Sequence, residues 1–440
     1  MQISGWGRCP KLQTTIVRPT NEAELLNHIK QGELIARGNG RSYGDSSISK
    51  TKTINMKKFN RFLNFDRLNG VLTLEAGVLL KDVIDLILPA GWFPSVTPGT
   101  KFVTIGGMIA SDVHGKNHHK DGGMGNCVNW IELVTHEGKI IRCSGTENKE
   151  LFDWTIGGMG LTGIIIRASL KLRRIETAWI KQSCIASKNL HNTMRLFEMF
   201  SKSTYSVAWI DCTQKEQKLG RSVIFIGEHA NLEDIPLDNA TKPLETPRKI
   251  KRNLPIELPS WILNRFTIKI FNFLYYWKFF GKRANQLRDW DSFFYPLDKL
   301  QNWNKIYGKR GFSQFQCVLP LRHAEIGLRA LLEKISNTNS TNFLGVLKRL
   351  GTESSGLSFP MEGYTLTVDF PMSEKNSKLI HELHKITLEF GGRFYLSKDS
   401  QLRPDIFHAS DERITAFKKF RHSSGSANFF KSYQSERLDL

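Results

Sequence analysis

Two segments of this 440-residue chain gather glycine beside groups that handle anions: Arg37-Gly38-Asn39-Gly40-Arg41-Ser42-Tyr43-Gly44-Asp45, and Pro98-Gly99-Thr100 followed by Thr104-Ile105-Gly106-Gly107. Glycine has no Cβ, so backbone N–H groups there can approach a phosphate closely, and arginine adds charge-assisted hydrogen bonds. The first segment is not G-x-G-x-x-G, and its helix precedes its strand. Alone it reads equally as an anion cradle or a glycine-rich turn. Two such loops close in sequence suit a ligand with an extended phosphate backbone, as in a dinucleotide.

A second set of polar residues alternates along strand-like runs. Gln314 and Gln316 share one face of a strand and Phe315 and Cys317 the other; Thr365, Thr367 and Asp369 likewise oppose Leu366, Val368 and Phe370. Lys348, between Leu347 and Arg349, joins the polar surface. The pattern alone fits a solvated sheet face as well as a pocket floor. His114-Gly115-Lys116-Asn117-His118-His119 clusters imidazoles, but Gly115 argues against a helix aligning His114 with His118, and no carboxylate or thiol motif accompanies them. A loop is expected there and no metal site. Lys398 alone would read as a surface charge.

Short elements must carry these groups. Asn21-x-x-Glu24 predicts a capping box opening a helix over residues 23–30, and residues 33–36 a strand running into the first glycine segment. A strand over 71–77, a helix over 80–88 stopped by Pro89, a hairpin turning at Glu137-Gly138, a helix within 147–155 and a strand over 163–172 follow. This mixture favours an α+β domain over regular βαβ repeats. Beyond residue 177, strands over 206–211, 313–319, 344–350 and 364–370 and helices over 324–335 and 377–389 predict a second α+β domain built on a sheet. The expected division is 1–176, 177–392 and a C-terminal segment, 393–440, returning to the first domain.

Lys and Arg outnumber Asp and Glu by 62 to 42, a formal net charge of +20, which attracts polyanions. Ten of these cations lie between Thr246 and Trp290, against Glu257 and Asp289, around an aromatic run that includes Phe271, Phe273, Tyr275, Tyr276 and Trp277. As a helix, that run puts Arg265, Lys269, Asn272 and Tyr276 on one stripe and leaves the rest apolar. Contact with an anionic membrane surface is expected, the alternative being a helix packed on the protein with the stripe exposed. Arg265, Lys269 and Lys278 interrupt residues 261–280 as a membrane span. The N-terminus lacks the apolar stretch of a signal peptide, and the six cysteines form no CxxC or zinc spacing, so reduced thiols and a cytoplasmic setting are expected. No zinc finger, helix-turn-helix or RNP-like motif stands out, so nucleic acid is not the expected polyanion.

The ordered set of Gly38–Asp45, Pro98-Gly99-Thr100, Thr104–Gly107, His114–His119 and Gly157-Gly158-Met159-Gly160-Leu161-Thr162-Gly163 resembles the FAD domain of the vanillyl-alcohol-oxidase superfamily. Phe294-Tyr295-Pro296-Leu297-Asp298, Gln314-Phe315-Gln316, Val368-Asp369-Phe370-Pro371 and Tyr395-Leu396-Ser397-Lys398-Asp399-Ser400 extend it nearly end to end, toward the decaprenylphosphoryl-β-D-ribose 2-oxidase branch. The resemblance implies a two-domain α+β fold with an antiparallel-sheet substrate domain. It implies FAD contacts at Arg37–Asp45, Gly99, Thr104–Gly107, Ser111, Asp112, Val113, His114, Ile165 and Tyr395. It makes Lys398, Tyr295 and His114 the catalytic residues, and Lys116, Gln314, Gln316, Lys348, Thr365, Thr367 and Lys398 the substrate contacts. Many relatives attach flavin to a histidine of the first loop; Tyr43 stands there, so non-covalent FAD is expected.

The implied reaction is oxidation of the C2 hydroxyl of a polyprenyl-phosphate-linked pentose, with a separate NAD(P)H-dependent reductase completing an epimerisation. Lys116 and Lys348 suit its phosphate, and Lys398 suits charge stabilisation or hydroxyl orientation. The catalytic base stays open. Well-known members carry Asn and Cys where this chain has Thr365 and Thr367, so a cysteine-directed inhibitor should not label Thr367. An aldonolactone or other soluble-sugar oxidase is the alternative enzyme.

Overall fold

The computed structural model describes residues 1–247, 252–257, 259, 264–281, 286–338, 342, 344–352 and 356–440. Asn21 caps the Glu22–Lys30 helix by accepting the Glu24 N–H at 3.0 Å. The Glu24 carboxylate reaches back one residue further than a capping box requires and accepts the Thr20 N–H at 2.8 Å. The helix leads into Leu34–Arg37, an edge of a small parallel sheet whose central strand is Lys52–Asn55 and whose other edge is Thr15–Val17.

A six-stranded antiparallel sheet follows, in the order Ile140–Ser144, Val128–Val134, Ile164–Arg174, Val71–Glu75 and Phe62–Asp66, with Trp92–Pro94 pairing Ile164–Arg174 off this path. The Leu80–Ile87 helix turns Leu80, Val83, Ile84 and Ile87 inward, and Pro89 ends it in a short 3₁₀ turn. The Ile105–Ala110 helix shares the same core.

The remaining half is built on an eight-stranded antiparallel sheet. Its order is Gln286–Asp289, Trp179–Ser187, Ser222–His229, Tyr205–Ile210, Gly345–Leu350, Gly363–Pro371, Phe312–Pro320 and Arg393–Phe394. Helices Leu321–Asn337 and Glu374–Glu389 cover one face, where Phe315, Cys317, Leu347, Leu366 and Val368 join Leu328, Leu332 and Leu383 in a single core. Period-two alternation then turns Gln314, Gln316, Lys348 and Thr367 to the opposite face. Register pairs Gln316 with Thr367 and Gln314 with Asp369.

The chain's end packs on its beginning. Leu34 donates its N–H to Phe429 O at 3.0 Å and accepts the Lys431 N–H at 3.1 Å, and Tyr433 N–H reaches Ile48 O at 2.8 Å. All six cysteines are free. Among the described residues no helix is long and apolar enough to cross a membrane.

Residues 248–251, 258, 260–263 and 282–285 of the basic insertion lie outside the described residues, and Arg265–Phe279 is a helix. The expected polar stripe divides: Arg265 and Lys269 are exposed, whereas Asn272 and Tyr276 are buried. Asn272 donates from Nδ2 to Asp211 Oδ1 at 2.7 Å, and the Tyr276 ring lies under the Arg221 guanidinium. The buried Asp211 demands polar partners, so Asn272 turns inward, Tyr276 packs beneath Arg221, which pairs with Asp211, and the apolar residues opposite them turn out.

Candidate active site

A cavity of about 710 Å³ lies between the two glycine loops and the polar face of the large sheet. One wall carries Gly38, Asn39, Arg41, Ser42 and Tyr43; a second carries Gly99, Thr104, Gly106, Gly107, Ser111, Val113 and His114, with Ile165 behind them. The sheet contributes Gln314, Gln316, Lys348 and Thr367, and the chain's end Tyr395 and Lys398, with Lys116 between the walls. Residues more than 350 positions apart are joined directly: Tyr43 N–H donates to Ser397 O at 2.8 Å, and Lys398 Nζ sits 3.8 Å from the Tyr43 ring centroid.

The loops have the features of an anion cradle. Backbone N–H groups of Asn39, Gly40, Arg41 and Ser42, four consecutive donors, find no acceptor among the described residues. A Cβ on Gly38 would fall 2.0 Å from Thr104 Oγ1, so glycine is what lets the two loops touch. A Cβ on Gly99 would meet no atom within 4 Å, which leaves that backbone open to a ligand in the cavity. His114 Nδ1, Gln314 Oε1 and Ser397 Oγ are buried polar atoms without a hydrogen-bond partner among the described residues, at residues lining the same space. These donors and orphaned atoms fit a dinucleotide.

Several expected contacts stand behind the lining rather than on it. Arg37 turns away from the cavity, donating to Ser4 O at 2.7 Å and Ser47 Oγ at 3.2 Å, and so ties the N-terminal segment to the loop. Gly40 has a φ of +65°, packs against the Arg37 guanidinium and shapes the turn, and Gly44 packs on Asp399 O. Asp45 is held by Arg437 through two hydrogen bonds of 3.0 Å. Ile105 is a core residue, and Asp112 accepts the Gly125 N–H at 2.8 Å and the Ser358 hydroxyl. Thr365 is fully buried and accepts from Gln316 Nε2 at 3.2 Å. Tyr295 is also fully buried, its phenol bonded to Thr97, and burial raises its pKa; it braces the wall that Thr97 lines. The expected catalytic Tyr295 thus stands off the cavity lining, behind Thr97.

Electrostatics single out three lysines. Burial pushes Lys116 down to about 7, helped by Lys348, and pushes Lys348 itself down to about 8. Burial lowers Lys398 too, with Asp369 opposing the shift, and the same burial raises Asp369. Asp369 accepts from Gln314 Nε2 and, at 3.2 Å, from the Tyr307 hydroxyl. Lys116 is positioned by Phe293 O. Three ammonium groups facing one enclosed space call for an anion. His114 is driven well below its ordinary value by burial and then by Lys348; neutral, it accepts from Gln316 Nε2 at 3.0 Å through Nε2. His118 and His119 are engaged separately, by Gly351 N–H at 3.1 Å and Ser203 O at 2.8 Å.

Sequence reasoning passed over Trp6, Thr97, Trp209 and Phe225, which also line the cavity. Trp6 enters because its N–H donates to Ser42 O at 2.7 Å, and Arg41 stacks 3.9 Å above its ring. Gly5 and Gly7 on either side of it were the available signal: a Cβ on either would strike the carbonyls of the Ser42–Gly44 turn.

Residues 14–144 match the model of an FAD binding domain. The whole chain aligns with the decaprenylphosphoryl-beta-D-ribose oxidase of Mycolicibacterium smegmatis, 34% identical over 450 aligned positions and covering 97% of that protein. An uncharacterized protein of Streptomyces coelicolor is 29% identical across 82% of the chain and all of its own length. The L-gulonolactone oxidase of Bos taurus is 30% identical over 38% of each chain. The chain therefore belongs to the vanillyl-alcohol-oxidase family of FAD-binding proteins and is an FAD-dependent oxidoreductase acting on a CH–OH group.

Proposed function

We propose that this protein oxidises the C2 hydroxyl of a polyprenyl-phosphate-linked pentose to the 2-keto sugar, using non-covalently held FAD, as the first half of an epimerisation that a separate NAD(P)H-dependent reductase completes. The observation that carries the reading is the convergence of Lys116, Lys348 and Lys398 on the cavity that the glycine loops border. Full-length likeness to a decaprenylphosphoryl-beta-D-ribose oxidase supports it. The substrate puts the enzyme at the cytoplasmic face of an anionic membrane.

FAD, when bound, supplies the acceptor for the hydride that leaves the carbinol carbon. The N–H run from Asn39 to Ser42 and the open backbone at Gly99 would hold its pyrophosphate. Lys116 and Lys348 neutralise the substrate phosphate and recover the charge stability that burial removes from them. Lys398 stands at the hydroxyl: its neutral amine, accessible because burial disfavours the charge, accepts the hydroxyl proton as the hydride leaves, and the ammonium so formed donates to the new ketone oxygen. Gln314, Gln316 and Thr367 orient the ring, and Gln316 keeps the neutral His114 in place. Tyr43 is not an imidazole and forms no bond to flavin, so trichloroacetic acid should leave the yellow chromophore in the supernatant.

The test is anaerobic bleaching of the flavin absorbance by prenyl-phosphoryl pentoses. Bleaching by free aldonolactones with indifference to the lipid-linked sugars would refute this reading and favour the lactone-oxidase alternative, which the resemblance to L-gulonolactone oxidases keeps in view.

A further inference from the structure

The Arg265–Phe279 helix presents aromatic side chains on two opposite sides. Ile268, Asn272 and Tyr276 anchor its inner side, which also turns Tyr275 and Phe279 into the cavity that holds the lysines. There the Tyr275 and Trp209 ring centroids lie 4.7 Å apart and those of Phe279 and Phe225 5.3 Å apart. The lining of one cavity thus includes both the lysine cluster and this aromatic side of the helix, together with Lys278 and Arg288.

The outer side carries Phe266, Ile270, Phe273, Trp277 and Phe280, spaced i, i+4, i+7, i+11 and i+14 along one face. Phe266 is 72% exposed, Phe273 52% and Trp277 48%, with Leu274 beside them at 62%. A helix of a water-soluble surface turns such a face to the core. Here the face turned to the core holds the asparagine instead. Helical geometry puts Lys269 and Lys278 on the two borders of the outer face. Cations rimming an exposed aromatic face, in a chain of net charge +20, complement lipid phosphates and carboxylates.

We propose that the outer face of this helix seats in an anionic bilayer, and that its inner face forms the corridor by which a substrate's prenyl tail passes from the bilayer to the lysine cluster. The bilayer seat stands on the helix alone; the corridor rests on the substrate reading above.

The test uses full-length holoprotein, phosphatidylglycerol–phosphatidylcholine vesicles, and the double variant Phe273→Ser/Trp277→Ser, whose retained flavin reports folding. Wild type should pellet with the vesicles, and the variant at least about tenfold less, given the apolar area withdrawn from lipid. The variant should bleach slowly with a long-chain prenyl-phosphoryl pentose carried in vesicles and normally with a one-isoprene analogue in solution. Equal pelleting of both forms, or a lipid-free dimer that the variant abolishes, overturns the bilayer seat. Bleaching by both substrates without vesicle binding overturns the seat and leaves the substrate reading intact. Vesicle binding with no bleaching by either sugar overturns the corridor together with the substrate reading and leaves the seat standing.

Discussion

Lys398 holds its ammonium 3.8 Å from the centroid of the Tyr43 ring, so the first glycine loop and a turn near the chain's end form one surface. The turn is fastened there by the Tyr43 N–H to Ser397 O hydrogen bond. Lys398→Met keeps the bulk of the side chain and removes the charge. It is expected to retain FAD and to slow substrate-dependent flavin bleaching by about 10²–10³-fold, in line with loss of one stabilising donor. Stopped-flow absorbance under anaerobic conditions measures this.

Lys116 and Lys348 make the FAD-stripped protein sensitive to pH. Both titrate lower in the folded chain, at about 7 and about 8, than the ordinary 10.5. Between those values and 10.5 the unfolded chain binds more protons, so stability rises with pH across that window, and the cost is fully present below the folded values. Thermal melts should therefore climb from pH 7 toward pH 10 in wild type and flatten in Lys116→Met/Lys348→Met. Inorganic phosphate at pH 7 should raise the wild-type melting temperature and leave the double variant unmoved.

Gly38 and Gly99 separate packing from cofactor approach. Gly38→Ala drives a methyl into Thr104, so it should lower both the stability of the FAD-stripped protein and FAD affinity. At Gly99 the methyl meets only open space, so Gly99→Ala should leave that stability unchanged while weakening FAD. Urea unfolding and flavin fluorescence titration distinguish the two.

Arg437, near the C-terminus, clamps two of the loops that border the cavity. It donates to Asp45 twice at 3.0 Å and to Asp399 at 2.8 Å, and both carboxylates are buried. Arg437→Gln strands the two charges and should cost about 3–5 kcal/mol, the range for breaking a buried pair from one side. Chemical denaturation gives the number, and slower flavin bleaching should accompany it because Asp399 adjoins Lys398.

What the amino-acid order determined by itself is local. Period-two alternation put Gln314 and Gln316 on the face opposite Phe315, and Asn21 and Pro89 marked helix ends, because strand pleat, capping and a missing N–H act within a few residues. Residue type and loop spacing likewise marked the glycine segments that border the cavity. Tertiary structure decided which neighbours within a motif face that cavity. Arg37 and Tyr295 lie in motif runs yet point behind the wall, because Ser4 and Thr97, remote in sequence, offer them partners. The same holds for Asn272. Its stripe reads as a solvent face until Asp211, buried in another element, draws it inward and leaves the aromatic side of the helix exposed, since a buried charge selects its partners through space and not along the chain.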